Sequence, residues 1–404
     1  MSSPVDVLVI GGGPAGATAG LLLARAGWSV TVLERKSFPR RKVCGEYLSS
    51  TNWPLLHQLG IADAFRCQAG PEVRRVGLFA GKSTLTSDLP RLAAPGAGWG
   101  RALGREHLDT LLLQQAAQAG ALILQPWSAV ALYREDHLHV CRAKSQHTGE
   151  SSELRARIVL AAHGSWDPGP LPTQCVRYAP QPGDLLGFKA HFSNSDLPAG
   201  LMPLLAFPGG YGGMVHTDGG RVSLSCCVRR DRLEQIRRQF QGVGDGSAGA
   251  AVLAHIEESC RGVRQALAGA RREETWLAAG PIRPGIRLRM PQGIFPLGNV
   301  AGEAHPVVAE GISIAMQSAW LLAQRLIAWR RQGRQPAGLV RVGHEYAAAW
   351  RRSFGPRLHA AAVVAHGAMQ PAVVAGTLPF LHCFPGLLTW GARLSGKARQ
   401  VVAG

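Results

Sequence analysis

None of the eight cysteines, Cys44, Cys67, Cys141, Cys175, Cys226, Cys227, Cys260 and Cys383, stands in a Cys-x-x-Cys pair or at a Cys/His interval that would hold a metal. That argues against zinc modules and dithiol redox motifs, and it fits reduced thiols in a cytoplasmic setting. Acidic residues are scarce: 26 Asp and Glu stand against 44 Lys and Arg, a formal net charge of +18. Such a surplus attracts acidic partners through its long-range field. Yet there is no nucleic-acid-binding motif, and the basic residues are scattered in pairs such as Arg74-Arg75, Arg229-Arg230 and Arg330-Arg331, the pattern of a solvated surface. No basic-apolar-small leader precedes the first apolar run, which again predicts a cytoplasmic protein. Charged residues are 17% of the chain and hydrophobic ones 46%, which excludes a disordered polypeptide. The 404 residues allow a large core, with two domains and a tail.

What is present is organised around residues 5–34. Val5-Asp6-Val7-Leu8-Val9-Ile10 reads as a strand, Gly11-Gly12-Gly13-Pro14-Ala15-Gly16 as a tight turn, the Ala/Leu-rich run to Gly27 as a helix, and Ser29–Leu33 as a second strand ending at Glu34. Gly11, Gly13 and Gly16 fill G-x-G-x-x-G, whose glycines serve a tight turn, close approach to a pyrophosphate and close helix-on-strand packing. The helix from Pro14 and Ala15 points its positive end at the phosphates. Glu34 follows Gly16 by 18 residues, where a carboxylate accepts hydrogen bonds from ribose hydroxyls. The motif does not separate FAD from NAD, but an acid at 34 disfavours a 2′-phosphate there.

After Glu34 comes a basic loop, Arg35-Lys36-Ser37-Phe38-Pro39-Arg40-Arg41-Lys42-Val43-Cys44-Gly45-Glu46, and then a helix expected to about Gly60. A dinucleotide fold followed by F-P-R-x-K-V-C-G-E resembles the flavoprotein superfamily of aromatic-ring hydroxylases, FAD-dependent halogenases and geranylgeranyl reductases. The resemblance implies FAD in the glycine site, with Arg35, Arg41 and Cys44 beside it. Cys44 reads either as a structural turn cysteine or as one with a catalytic duty. Arg105-Glu106-His107-Leu108-Asp109 resembles the hydroxylase segment whose Arg contacts FAD; the alternative is an Arg flanking an ordinary helix. Ala121–Leu124 reads as a buried parallel strand. Arg157–Ser165 reads as a strand with a glycine turn and matches the family's A-D-G-x-x-S, with His163 in place of Asp. In the hydroxylases that Asp supports FAD and the reaction with NAD(P)H, so the change puts direct NADH or NADPH use in doubt.

Residues 72–92 read as a hairpin breaking at Ala80-Gly81-Lys82. Residues 187–192 and 221–228 alternate as strands. Phe207–Val215 resembles the P-G-G-Y-G-W segment that borders the substrate chamber in the reductases and halogenases, which makes Tyr211 a catalytic candidate; its glycines also suit a plain hairpin turn. Residues 231–270 read as helical and basic. Gly293–Ser313 resembles the superfamily's G-D-A-A-G-x-x-x-P-x-x-G-E-G-I. By that resemblance Gly298 and Asn299 meet the ribityl chain, with an amide where the relatives carry an acid. Pro306 packs near the ring, and Gly311-Ile312 starts a helix under the pyrimidine. Its positive end would stabilise an anionic reduced flavin. His305 and Glu310 read either as catalytic or as hydrogen-bonded loop residues.

The resulting expectation is an α/β protein: a Rossmann-like FAD-binding domain of glutathione-reductase/hydroxylase type (1–70, 100–165 and 290–330), an inserted mixed β-sheet substrate domain (71–99 and 166–289) and a helical C-terminal tail (331–404). Between Arg357 and Arg393 there is no Lys, Arg, Asp or Glu. Pro371, Gly376, Pro379 and Pro385 interrupt that run, so a spanning helix is not expected. It reads as helices capping the chamber, or as a peripheral membrane contact flanked by Arg351, Arg352, Arg393, Lys397 and Arg399. The expected function is that of an FAD oxidoreductase. Hydroxylation of an apolar small molecule through a flavin hydroperoxide stands first, with NADH or NADPH as a transient reductant or a partner reductase supplying electrons. Reduction of isoprenoid or long-chain double bonds stands second. Halogenation is third, since G-W-x-W-x-I-P is missing and Lys82 sits in a turn. The charge also permits docking to an acidic carrier protein.

Overall fold

The computed structural model describes residues 3–89, 98–165, 168–174, 179–333, 336–393 and 401–402. Cys175, Lys397 and Arg399 lie outside them. The chain opens with β1 (Val5–Ile10), α1 (Pro14–Arg25) and β2 (Val30–Leu33). β1 and β2 are almost continuously apolar because both faces of a parallel sheet are covered. Pro14 starts α1, where its missing N–H costs nothing.

The expected helix after the basic loop is broken into β3 (Tyr47–Leu48), a 3-10 turn at Ser50–Asn52 and α2 (Trp53–Gln58). The cause is side-chain competition: Ser49, Thr51 and Asn52 are buried and bond among themselves. After α3 (Ala62–Gln68), the hairpin β4 (Arg75–Ala80) and β5 (Ser83–Asp88) leaves for the second sheet. The chain then returns through β6 (Arg101–Ala102), α4 (Arg105–Gln118) and β7 (Leu122–Leu124). β7 is parallel to β2, as its sequence suggests, but it is the sheet edge and Leu122 is exposed. A short apolar run does not distinguish an edge from a centre.

β8 (Trp127–Glu135), β9 (Leu138–Ser145) and β10 (Ser151–Ala161) complete the first sheet, ordered β7-β2-β1-β10-β9-β8. The long β10 is antiparallel to β9 along its first half and parallel to β1 along its second.

The second sheet comprises β11 (Leu185–Ser193), β12 (Leu201–Phe207), β13 (Gly210–His216) and β14 (Val222–Arg229), joined by β4, β5, β15 (Arg271–Arg272) and β16 (Leu277–Ile282). α5 (Arg230–Gln239), α6 (Ala248–Ser259) and α7 (Arg261–Ala266) pack on one face through Phe79, Leu205, Val252 and Ile256. β17 (Gly285–Ile286) and β19 (Gly302–Glu303) pair with each other, and β18 (Phe295–Pro296) adds to β10.

α8 (Gly311–Arg331) and α9 (Pro336–Ala368) then pack against the first domain. Tyr346, Trp350 and Phe354 are buried at intervals of four, one stripe of α9. α10 (Pro371–Cys383) and α11 (Gly386–Ala392) cover the other face of the second sheet. No single described helix is long and apolar enough to cross a membrane; α9 and α10 together pass that test but are bent by 104°.

Candidate functional site

The glycine turn leaves no space for side chains. Gly11 has φ +109°, and a Cβ there would meet the Ala162 carbonyl oxygen at 2.5 Å; at Gly16 it would meet the Gly11 carbonyl oxygen at 1.8 Å. Glu34 is buried at the end of β2, accepting from the Gly12 N–H at 2.8 Å and the Lys36 N–H at 3.0 Å. Over Gly13 stand two guanidinium groups, those of Arg40 and Arg105, each 3.8 Å from the position a Cβ would take. Asp109 holds Arg105 through two 2.7 Å bonds and lies 3.5 Å from Arg40. Burial works against the Arg105 charge, but Asp109 outweighs it and keeps its pKa raised. For Arg40, burial wins over Asp109 and Glu34 and lowers it.

Lys42 reaches Gly164 with its ammonium. Although part of the residue is exposed, burial of that ammonium pushes it down to about 8, and Arg105 and Arg40 lower it further. Three cations thus converge on the start of α1. A pyrophosphate would relieve their repulsion, and the side-chain-free turn gives its backbone room to approach.

The basic loop alternates about this site. Arg40 and Lys42 face the turn; Arg41, expected beside the flavin, pairs with Glu274, and Arg35 is exposed. Neither Arg40 nor Lys42 was singled out from sequence, though side-to-side alternation in an extended Arg-Arg-Lys run is the signal that could have found them.

Cys44 lies beside Arg105 and accepts from the Glu46 N–H at 3.4 Å. Asn299 donates to Glu303 at 2.9 Å, and the Ser165 hydroxyl donates to the other oxygen of Glu303 at 2.7 Å. A buried acid therefore stands four residues after the position where the relatives carry one. Gly298 is in the left-handed region, and its N–H donates to Ser318 on α8. Pro306 and Gly311 are exposed around the mouth of α8, while Ile312 is buried. Beneath them Ser49, Asn52, Ser313 and Glu310 form a buried polar network, with Asn52 donating to Ser313 at 2.8 Å. His163 is tied to its own loop: Nδ1–H donates to the Gly164 carbonyl at 2.8 Å and Nε2 accepts from Thr173 at 2.9 Å.

Two further clusters face the second sheet. Glu46, in the left-handed region, ion-pairs with the fully buried Lys189 and bonds His191 Nε2 at 2.8 Å. Burial pushes the Glu46 carboxyl up, but Lys189 and His191 overcome it and hold it at about 2. The Arg105 N–H also donates to Glu46 at 3.2 Å, so one carboxylate joins the basic loop, α4 and β11.

Tyr211 on β13 is buried with its hydroxyl 3.2 Å from His305 Nδ1, and His305 packs on the exposed His366 at 5.5 Å between ring centres. Burial raises Tyr211 well above its ordinary value, and burial with His366 lowers His305 to about 4. At neutral pH both are therefore uncharged. Glu106, His107 and Asp218 bring ligand atoms within 4.8 Å of one another, but Arg221 already bonds both carboxylates.

Fold and site together define a dinucleotide-binding flavoprotein with a second domain built on a mixed sheet. Residues 4–169 match the family described as FAD binding domain. A menaquinone reductase of Mycobacterium tuberculosis is 32% identical to this chain over 163 residues, 40% of this chain and 38% of that protein. A digeranylgeranylglycerophospholipid reductase 2 of Methanopyrus kandleri is 26% identical over 328 residues, 77% of this chain and 74% of that one. The fold is that of the myxobacterial chondrochloren halogenase CndH, an FAD-dependent halogenase: TM-score 0.76, 21% identity, 97% of this chain and 91% of that one. The chain thus resembles the superfamily to which its motifs pointed, over part of its length by sequence and over nearly all of it by fold.

Proposed function

We propose that this chain is an FAD-dependent oxidoreductase that saturates a carbon–carbon double bond in an apolar, long-chain small molecule. The observation that carries this reading is the buried Tyr211–His305 pair beside the Pro306–Val308 turn. Arg40, Lys42 and Arg105 with the start of α1 would hold the FAD pyrophosphate, Glu34 the adenosine ribose, and Asn299 with Glu303 the ribityl hydroxyls. Once reduced, bound FAD would supply the two electrons and one hydrogen, as a hydride equivalent, for one carbon of the double bond. Saturation also needs a proton at the second carbon. Tyr211 keeps its proton at neutral pH and is the donor; His305 returns one to it from the side of His366, which reaches solvent. Leu204, Val307, Leu378 and Leu381 pack against the apolar cluster that contains Tyr211, a setting suited to a hydrocarbon chain. The names of the reductase relatives agree with such a substrate.

Hydroxylation is the second reading, since reduced flavin that meets oxygen could pass one oxygen atom to the same apolar substrate. Halogenation has less support: Lys82 is exposed in its turn and Lys189 is ion-paired with Glu46. The electron source is a separate question. His163 in place of the family's acid favours a partner reductase over direct NAD(P)H, and the basic surface suits an acidic partner.

The test uses holoprotein. Anaerobic NADH and then NADPH titrations follow the flavin spectrum: bleaching assigns direct reduction, and an unchanged spectrum assigns a partner. Dithionite-reduced protein is then given geranylgeraniol, and the product is weighed by mass spectrometry. A gain of two hydrogens is expected; a gain of one oxygen in air would transfer the reading to hydroxylation. A colourless protein that cannot be reconstituted with FAD would overturn both.

A further inference from the structure

The last three helices carry a surface that the proposed chemistry does not use. No Asp or Glu follows Glu345, and no Lys or Arg stands between Arg357 and Arg393. α10 turns Val374, Leu378 and Leu381 inward, at the spacing of one helix face. An ordinary surface helix would carry polar groups on its other face. This one carries Val373 and Phe380, 48% and 67% exposed. Phe384 just beyond it is 61% exposed, α11 adds Leu387 at 45% and Trp390 at 60%, and the end of α9 adds Val363 at 74%. Large side chains so exposed on three successive helices mark an interaction surface rather than chance.

Cations rim this surface. Arg352 shares the exposed stripe of α9 with His359 and Val363, seven and eleven residues on. Arg232 lies against Gly209, whose N–H donates to the Met369 carbonyl at the α9–α10 turn. Arg393 is exposed at the end of α11. Asp88, whose carbonyl accepts from Thr389, is an acid at the same rim. The 104° bend between α9 and α10 suits helices that lie on a boundary rather than cross it.

We infer that α10, α11 and the end of α9 dock on an anionic lipid bilayer. Phe380, Phe384, Leu387 and Trp390 enter the headgroup boundary while Arg232, Arg352 and Arg393 meet lipid phosphates. The cationic rim decides against a second copy of the chain, because self-association would set like charges against each other.

The inference is tested by flotation of the full-length FAD-loaded protein with phosphatidylcholine vesicles, with and without phosphatidylglycerol, alongside light scattering for oligomeric state. Flotation with the anionic vesicles is expected, weakened by high salt. The Phe380→Ser/Phe384→Ser/Trp390→Ser variant should lose bound fraction by about tenfold or more while keeping its flavin spectrum. If that variant fails to fold, Phe380→Ser alone and the salt series on the unaltered protein carry the test. Protein that stays down with anionic vesicles overturns the inference, as does a folded triple variant that floats equally well. A dimer that the triple variant dissociates, without flotation of the parent, reassigns the surface to a second copy. None of these readouts depends on turnover, so failure here and failure of the proposed reaction are distinguishable.

Discussion

Gly16 tolerates no side chain, since a Cβ would lie 1.8 Å from a backbone oxygen that cannot move without opening the turn. Gly16→Ala is therefore expected to yield protein without bound flavin, read from its absorbance, and with a lowered Tm. Lys42 makes a pH prediction. Its charged form suits a phosphate, and it sits near 8 in the unliganded protein. FAD affinity should fall as pH rises through that value, and Lys42→Met should flatten the profile in a titration followed by fluorescence.

Glu46→Gln leaves Lys189 buried without its counter-charge, at a cost of about 3–5 kcal/mol in denaturant unfolding. Because Glu46 is depressed from 4.5 to about 2, its stabilisation is complete above the ordinary carboxylate value and is lost as pH falls towards 2. Tyr211→Phe should keep FAD and lower kcat by about 10²-fold or more. The glycines and Glu34 were legible in the sequence because spacing alone defines them. Lys189, His191 and Glu46 were not, because their meeting joins positions about 145 residues apart and no local pattern records it.

Among the elements, α9 does more than cap. Trp350 projects onto β19, where a Cβ on Gly302 would meet its ring at 2.5 Å, and Tyr346 donates to the Pro296 carbonyl at 2.8 Å. The flavin motif is thus braced from outside the first domain. Trp350→Ala should cost about 3–5 kcal/mol, seen as a lowered Tm in calorimetry, with weaker FAD retention on gel filtration. The strands β1, β2 and β10, the helix α1 and the β4–β5 hairpin were readable from apolar runs and turn glycines, and the start of α8 from the family resemblance of Gly293–Ser313. The helix expected after the basic loop was misread because Ser49, Thr51 and Asn52 find buried partners on α8, and tertiary hydrogen bonds there override propensity.

For the whole molecule, the proposed FAD site would draw on groups from the glycine turn, the basic loop, α4 and the start of α8. Loading it should raise Tm, by an amount equivalent to about 2.7 kcal/mol at a hundredfold excess over Kd, which a thermal melt of apo and reconstituted protein will show.

The path of β10 and β18 has a consequence for biogenesis. β1 finds its neighbour β10 only after more than a hundred residues have intervened, and β18 and α8 close the same domain after the entire second sheet has been made. A ribosome emitting this chain therefore exposes the hydrophobic flank of α1 through most of translation. The cofactor cradle becomes whole only near the end of synthesis, so flavin capture is a late event in the life of each nascent molecule, and a prematurely terminated chain would be sticky rather than yellow.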